Sequence, residues 1–180
     1  MTRVPVAVIH GRFQPLHLGH LEYLLAGART CDVLVVGITN PDPTLTEFEP
    51  SDPRRGSAEA NPFTFYERYL MVEGALREAG VAAESLRIVP FPHGTPERLH
   101  HYAPRDALHL LTVYDDWGEV KLHRFKQIGC PVRVLWRRSE KVTSGSEVRR
   151  RIRSGEAWEH LVPPAVAGVV GRPEIQERLA

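Results

Sequence analysis

Short apolar runs alternate with stretches of helical period along most of this chain, and that alternation leaves few architectures open. Val4–His10 is a nearly unbroken apolar run that reads as a strand buried on both faces. Leu18–Arg29 then sets Leu21, Leu24, Leu25 and Ala28 on one helical stripe. The strand signal returns at Asp32–Ile38, Leu86–Pro90, Ala107–Val113 and Val132–Trp136. Helical signals fall at Phe65–Ala79, Asp115–Ile128 and Ser144–Arg153, with shorter pieces over Trp158–Val170. Gly80 suits the end of the second helix, and Asp115 or Asp116 the start of the third. Strands separated by helices require a parallel sheet with right-handed crossovers. The expected fold is therefore α/β, a Rossmann-like parallel sheet with helices on both faces. We expect a single domain over 1–180, with 144–180 as its C-terminal helical segment.

A chain of 180 residues can bury a core without disulfide staples. Its two cysteines, Cys31 and Cys130, sit beside strands and read as structural thiols. A net charge of +1 gives no reason to expect nucleic acid or a membrane as partner. No apolar run approaches the length of a membrane span, and Met1–Ile9 is too short for a leader peptide. The expected location is cytoplasmic. Residues 40–62 hold five prolines and no periodicity, so they read as a long loop close to substrate that orders on ligand binding.

In open parallel sheets, ligands bind beyond the carboxyl ends of the strands. The turn after the first strand reads Gly11-Arg12-Phe13-Gln14-Pro15-Leu16-His17-Leu18-Gly19-His20. Gly11 lets the backbone leave the strand sharply. His17 and His20 are three apart at a helix start and can face one side, with Gly19 leaving space between them. A helix N-terminus supplies free N–H groups and positive potential for phosphate. Two imidazoles placed there can donate to phosphate oxygens and stabilise charge in phosphoryl transfer.

A second such start lies after the fifth strand, at Thr143-Ser144-Gly145-Ser146-Glu147-Val148-Arg149-Arg150-Arg151. Ser144 and Glu147 have capping-box spacing. Arg149 and Arg150 follow, and arginine suits bidentate phosphate contact. Two anion-binding helix starts at the same edge of one sheet can hold one triphosphate.

With these residues in view, the chain resembles the nucleotidyltransferase superfamily marked by His-x-Gly-His and a later Ser-x-Ser/Thr-x-x-Arg segment. Asn61-Pro62-Phe63-Thr64 with Glu67-Arg68, Gly155-Glu156-Ala157-Trp158 and Leu161-Val162-Pro163 extend the likeness to archaeal-type nicotinamide-nucleotide adenylyltransferases over nearly the whole chain. The resemblance implies catalytic roles for His17, His20 and Arg12. It implies nucleotide binding by Gly11, Phe13, Gln14, Gly19, Ser144, Ser146, Arg149 and Arg150. Mg2+ would bridge the phosphates, with no metal ligand from protein side chains. The partners would be a nucleoside triphosphate and a small phosphorylated or phosphonate acceptor, and family members often form homo-oligomers.

Three departures bear on the acceptor. Ala60 stands where the family has a basic residue, and Arg54 or Arg55 would have to serve instead. The segment from Pro90 to Arg98, including Pro92 and His93, lacks the family's Trp. Tyr114-Asp115-Asp116-Trp117-Gly118 replaces a Gly-Asn pair, which makes Trp117 a stacking surface or a packed helix residue. Asn40, Arg54, Arg55, Pro92, His93, Tyr114 and Trp117 are accordingly the acceptor-site candidates. Phosphonate cytidylyltransferases of natural-product pathways resemble the same scaffold. Two acceptor readings follow: adenylyl transfer from ATP to nicotinamide mononucleotide, placed first, and CMP or AMP transfer to a small phosphonate. A non-catalytic nucleotide sensor would lack pyrophosphate release. A class I aminoacyl-tRNA synthetase fragment would need a Lys-Met-Ser-Lys-Ser signal that is absent here.

Overall fold

The computed structural model describes residues 3–42 and 56–179, apart from the side chains of Pro96 and Trp117. Arg54, Arg55 and the middle of the 40–62 loop, with its expected ordering on ligand binding, lie outside the described residues, as does the Trp117 side chain. Five parallel strands form one sheet: β1 (Val4–Gly11), β2 (Cys31–Ile38), β3 (Leu86–Pro90), β4 (Leu108–Val113) and β5 (Val132–Arg137). The helices are α1 (Leu18–Ala28), α2 (Phe65–Glu78), α3 (Asp116–Gln127), α4 (Gly145–Arg153), α5 (Pro164–Val170) and α6 (Pro173–Leu179). No helix among the described residues is long and apolar enough to cross a membrane.

The strand order is β3-β2-β1-β4-β5. The chain steps outward from β1 through β2 to β3, then returns to the far side of β1 for β4 and β5. The reversal falls between β1 and β4, and a crevice opens beyond such a switch point. These two strands pair only at Ala7–Leu108 and Val8–His109. One residue past that pairing, the Leu110 carbonyl accepts from the Tyr23 hydroxyl of α1 instead of from β1.

Alternation along each strand divides the core. Ala7, Ile9, Leu34, Val36 and Leu110 face α1, α2 and the C-terminal helices through Leu24, Met71, Val148, Val166 and Ile175. Val8, Val35, Phe91 and Ala107 face Phe125 of α3 and Leu99 of a short 3-10 turn at Pro96–His101. Helices thus cover both faces, but unevenly. Full burial of a side chain such as Leu24 contributes about 2 kcal/mol. A Cβ at Gly27 would overlap Cδ1 of Ile9, so glycine there permits α1 to lie close on the sheet.

The capping residues act as their types suggest. Thr64 and Glu67 form a reciprocal box at α2, and Asp115 accepts from the Gly118 amide at 3.1 Å to start α3. Gly80 has a φ of 80°, a left-handed conformation that ends α2 without a Cβ penalty. Short 3-10 turns at Ala58–Ala60, within the long loop, and at Ala83–Ser85 go beyond the sequence reading, and α6, inside the expected C-terminal helical segment, buries Ile175 and Leu179 in the main core. Cys31 is buried and Cys130 half-buried, both as free thiols.

Candidate active site

A cleft of about 870 Å3 lies at the carboxyl ends of β1 and β4. Seven buried side-chain nitrogen and oxygen atoms among the described residues lack a hydrogen-bond partner. Six of them belong to His10, His20, Thr39, Asn40 and Thr143, all of which line this cleft. Unpaired buried polar atoms are costly, so their concentration marks where a ligand would supply partners.

One wall is the turn into α1. Phe13 adopts a φ of 52° and is fully buried. Its ring lies under Gly11, where a Cβ would come within 2.9 Å of Cζ, and its edge meets His20 at a centroid distance of 5.0 Å. Gln14 binds both backbone groups of Phe63: Nε2 donates to its carbonyl at 3.0 Å and Oε1 accepts from its amide at 2.9 Å. Both residues line the cleft, the Phe13 ring against His20 and the Gln14 amide bound to Phe63.

His17 caps α1 with its own ring, Nδ1 accepting from the His20 amide at 3.3 Å. A neutral imidazole that accepts at Nδ1 carries its proton on Nε2, the atom left to donate to a ligand. The His17 and His20 rings stack with centroids 3.7 Å apart. Burial, with help from Lys141, lowers the His17 pKa to about 4. Burial likewise lowers His20, joined by the charges of His17, Arg12, Lys121 and Lys141. Both rings are therefore neutral hydrogen-bond donors near pH 7. Gly19 sits where a Cβ would be 3.3 Å from the His17 ring, which keeps the pair close.

The opposite wall is the start of α4. Ser144 caps it, accepting from the Glu147 amide at 3.1 Å. The Glu147 carboxylate does not complete a box; it pairs with Arg150 and Arg151. Gly145 packs so tightly that a Cβ would lie 2.6 Å from the Gln14 carbonyl oxygen. Arg149, buried, donates to that same carbonyl, and its other nitrogen reaches Ser146 Oγ at 3.4 Å. The two helix starts are thus in direct contact, and Arg12, His17, Gly19, His20, Ser144, Ser146 and Arg149 share one cleft. Arg150 does not join them. Its guanidinium bonds Glu147 at 2.9 Å and Glu156 at 2.5 Å on the outer surface, because i, i+1 neighbours on a helix point to different sides.

Arg68 holds this geometry from below and belongs with the site, although only its motif drew notice in the sequence. It is 1% exposed, and its side chain donates to the carbonyls of Arg12 (3.0 Å), Thr39 (2.7 Å), Asn40 (2.7 Å) and Thr64 (3.1 Å). A buried guanidinium with four carbonyl acceptors ties the ends of β1 and β2 to α2. Burial, and secondarily Arg12, lowers its pKa to about 10, so it remains charged at neutral pH. Asn40 needs this support because it sits at a φ of 48°.

Of the acceptor-site candidates, Asn40, His93 and Tyr114 line the cleft. Pro92 is buried and is not among the lining residues. The lining also includes residues that the sequence reading did not single out, among them His10 near the end of β1, and Lys121 and Arg124 on α3. His10 is 4% exposed and stacks on Phe91 and on Phe125 at centroid distances of 5.0 and 5.1 Å. The i, i+3 spacing of Lys121 and Arg124 was the available signal, since it puts both cations on one helix face.

With this geometry in hand, comparison with known proteins is informative. Residues 8–151 match the cytidylyltransferase-like family. The chain is 67% identical over 172 residues to phosphonoformate cytidylyltransferase of Streptomyces viridochromogenes, covering 96% of this chain and 94% of that one. It is 34% identical to nicotinamide-nucleotide adenylyltransferase of Methanosarcina barkeri, covering 94% of this chain and 88% of that one. Its fold matches a bifunctional NMN adenylyltransferase/ADP ribose pyrophosphatase of Francisella tularensis with a TM-score of 0.68 at 15% identity, over 98% of this chain and 52% of that one. The same bifunctional protein has also been solved in complex with AMP and a manganese ion. The paired histidines and the serine-arginine cap meeting at one cleft agree with these matches, and the chain belongs to the cytidylyltransferase-like family of nucleotidyltransferases.

Proposed function

We propose that this enzyme transfers CMP from CTP to a small phosphonate, with phosphonoformate as the acceptor and pyrophosphate as the second product. The observation that carries the reading is the filled stack on the acceptor side. His10 stacks on both Phe91 and Phe125, so the aromatic surface there is already engaged by a protein ring. The neighbouring walls carry His93, Lys121 and Arg124, which suit a compact anion better than a nicotinamide ring. The identity to the Streptomyces enzyme supports the same acceptor. Adenylyl transfer to nicotinamide mononucleotide becomes the second reading, favoured by the match to the archaeal adenylyltransferases.

In the step, an oxygen of the acceptor phosphonate attacks the α-phosphorus of CTP. The bond from that phosphorus to its bridging oxygen breaks and pyrophosphate leaves. No side-chain nucleophile is needed. His17 Nε2–H and the His20 ring donate to the phosphate oxygens as negative charge grows on them. Arg12, the Ser144 and Ser146 hydroxyls and Arg149 hold the β- and γ-phosphates. No group of three His, Cys, Asp or Glu able to hold a metal ion occurs among the described residues. Imidazoles, hydroxyls and guanidinium groups fit a Mg2+ ion that arrives on the triphosphate, where it would neutralise phosphate charge.

The test is a matrix of CTP and ATP against phosphonoformate and nicotinamide mononucleotide, read by pyrophosphate release and product mass. The highest kcat/KM is expected for CTP with phosphonoformate. A faster reaction of ATP with nicotinamide mononucleotide would reverse the assignment, and nucleotide binding without pyrophosphate release would leave a sensor.

A further inference from the structure

His10 combines features that the triphosphate chemistry does not use. Both of its ring nitrogens are buried without a partner, and it is the only described side chain with two such atoms. Phe91 and Phe125 both stack against its ring, their planes 20° and 21° from that of the imidazole. Apolar rings thus engage its faces, while the nitrogens on its edge remain buried and unmatched beside the cleft. The residue lines the same cleft as His17 and His20 and directly precedes Gly11 and Arg12, so a group bound at its edge lies next to the phosphate site. Lys121 and Arg124 border this part of the cleft from α3. Burial depresses the His10 pKa first, followed by the charges of Lys121, His93 and His109, so the ring is neutral and donates from one nitrogen.

We propose that His10 is a specificity-determining residue that recognises a second acid group on the acceptor, a carboxylate whose carbon is bonded directly to phosphorus, with Lys121 and Arg124 balancing its charge. The proposal rests on the phosphonate reading given above. A carboxylate joined directly to the reacting phosphonate must be bound beside the reaction centre, and His10 lines the same cleft next to Gly11 and Arg12. A hydrogen bond to a charged acceptor contributes more than one between neutral groups, and a simple alkylphosphonate would leave the imidazole edge unmatched. Preference for a carboxyl-bearing phosphonate follows without an arginine fork devoted to it.

The experiment compares phosphonoformate with methylphosphonate as CMP acceptors for the full-length wild type, His10→Phe and His10→Gln. His10→Phe keeps an aromatic ring in the stack and removes both nitrogens, whereas His10→Gln keeps a donor. The expected result for His10→Phe is a rise of about tenfold or more in the KM for phosphonoformate, with the KM for CTP unchanged. Its preference for phosphonoformate over methylphosphonate should collapse by a similar factor, and His10→Gln should fall between. Equal losses on both acceptors, or none, would overturn the role of His10. In case the variants do not fold, the imidazole nitrogens of 15N-histidine-labelled wild type provide a second reading. With a non-hydrolysable CTP analogue bound, the His10 resonances should move on addition of phosphonoformate and stay in place with methylphosphonate. Identical behaviour with both compounds overturns the proposal. If the wild type transfers no CMP to phosphonoformate, the phosphonate reading itself fails and takes this inference with it. Transfer with unaltered selectivity in His10→Phe sinks the inference alone.

Discussion

The two ends of the cleft are built in different ways. At the end formed by the two helix starts, several side chains are tied to other parts of the protein. His17 caps its own helix, Gln14 clasps Phe63, and Arg149 bonds the Gln14 carbonyl. At the acceptor end, His10, His93, Lys121 and Arg124 come from β1, the segment after β3 and α3, and His10 keeps two unpaired nitrogens. In the proposed reaction the first end takes the ligand part common to all nucleoside triphosphates, and preorganised donors stabilise the charge that develops on a leaving group. The second presents side chains from element faces, which can be exchanged without disturbing the backbone of the turn. One scaffold can in this way keep its leaving-group chemistry while its acceptor changes.

Perturbations of the two ends should separate accordingly. The largest effect is expected for His20→Ala, with kcat lowered about a hundredfold or more through loss of a positioned donor. Pyrophosphate release at saturating substrates measures it, and a wild-type rate would remove His20 from the chemistry. Arg68→Met comes next. It strands the buried carbonyls of Arg12, Thr39 and Asn40, so urea unfolding should show a loss of about 2 kcal/mol. An unchanged unfolding midpoint would mean that the turn does not need this clasp.

A smaller effect is expected from pH. His17 titrates near 6.5 when unfolded and near 4 when folded. Between those values the unfolded chain binds more protons, so stability falls as pH drops from about 6.5 towards 4. His10, His20 and His109 are depressed in the same direction and steepen that fall. Thermal melts at pH 7.5 and pH 5 should show the lower melting temperature at pH 5, and His17→Asn should narrow the difference. The smallest effect belongs to Arg150→Ala. Its side chain is 50% exposed and engaged with Glu147 and Glu156, so kcat/KM should stay within about twofold of wild type. A large loss there would draw Arg150 back into the site.

The sheet, its helices and both helix starts that line the cleft were legible in the sequence because their signals are local. Apolar runs, helical period, Ser144 as a cap and Gly19 between two histidines each act over a few residues. Arg149 was legible for the same reason, but separating it from Arg150 requires knowing which face of α4 meets Gln14. Arg68 was hidden because its partners, Arg12, Thr39 and Asn40, are carbonyls distant in sequence. His10 read as the last residue of a strand. Only the separation of β1 from β4 and the rings of Phe91 and Phe125, brought from two other elements, turn it towards the cleft. The α6 helix falls within the helical segment expected over 144–180, and its bounds follow from Pro173 at its start and Ile175 and Leu179 at i, i+4 spacing.

At the centre of the mechanism proposed above is one polyphosphate chain gripped by two helix starts. Calorimetric titration of pyrophosphate into wild type, His17→Asn and Arg149→Ala tests this without the acceptor. Because both groups would touch the same ligand, the expected result is a loss of affinity of about tenfold or more in each variant. Wild-type pyrophosphate affinity in either one would show that the imidazole pair and the serine-arginine cap do not share a ligand, and would contradict the mechanism.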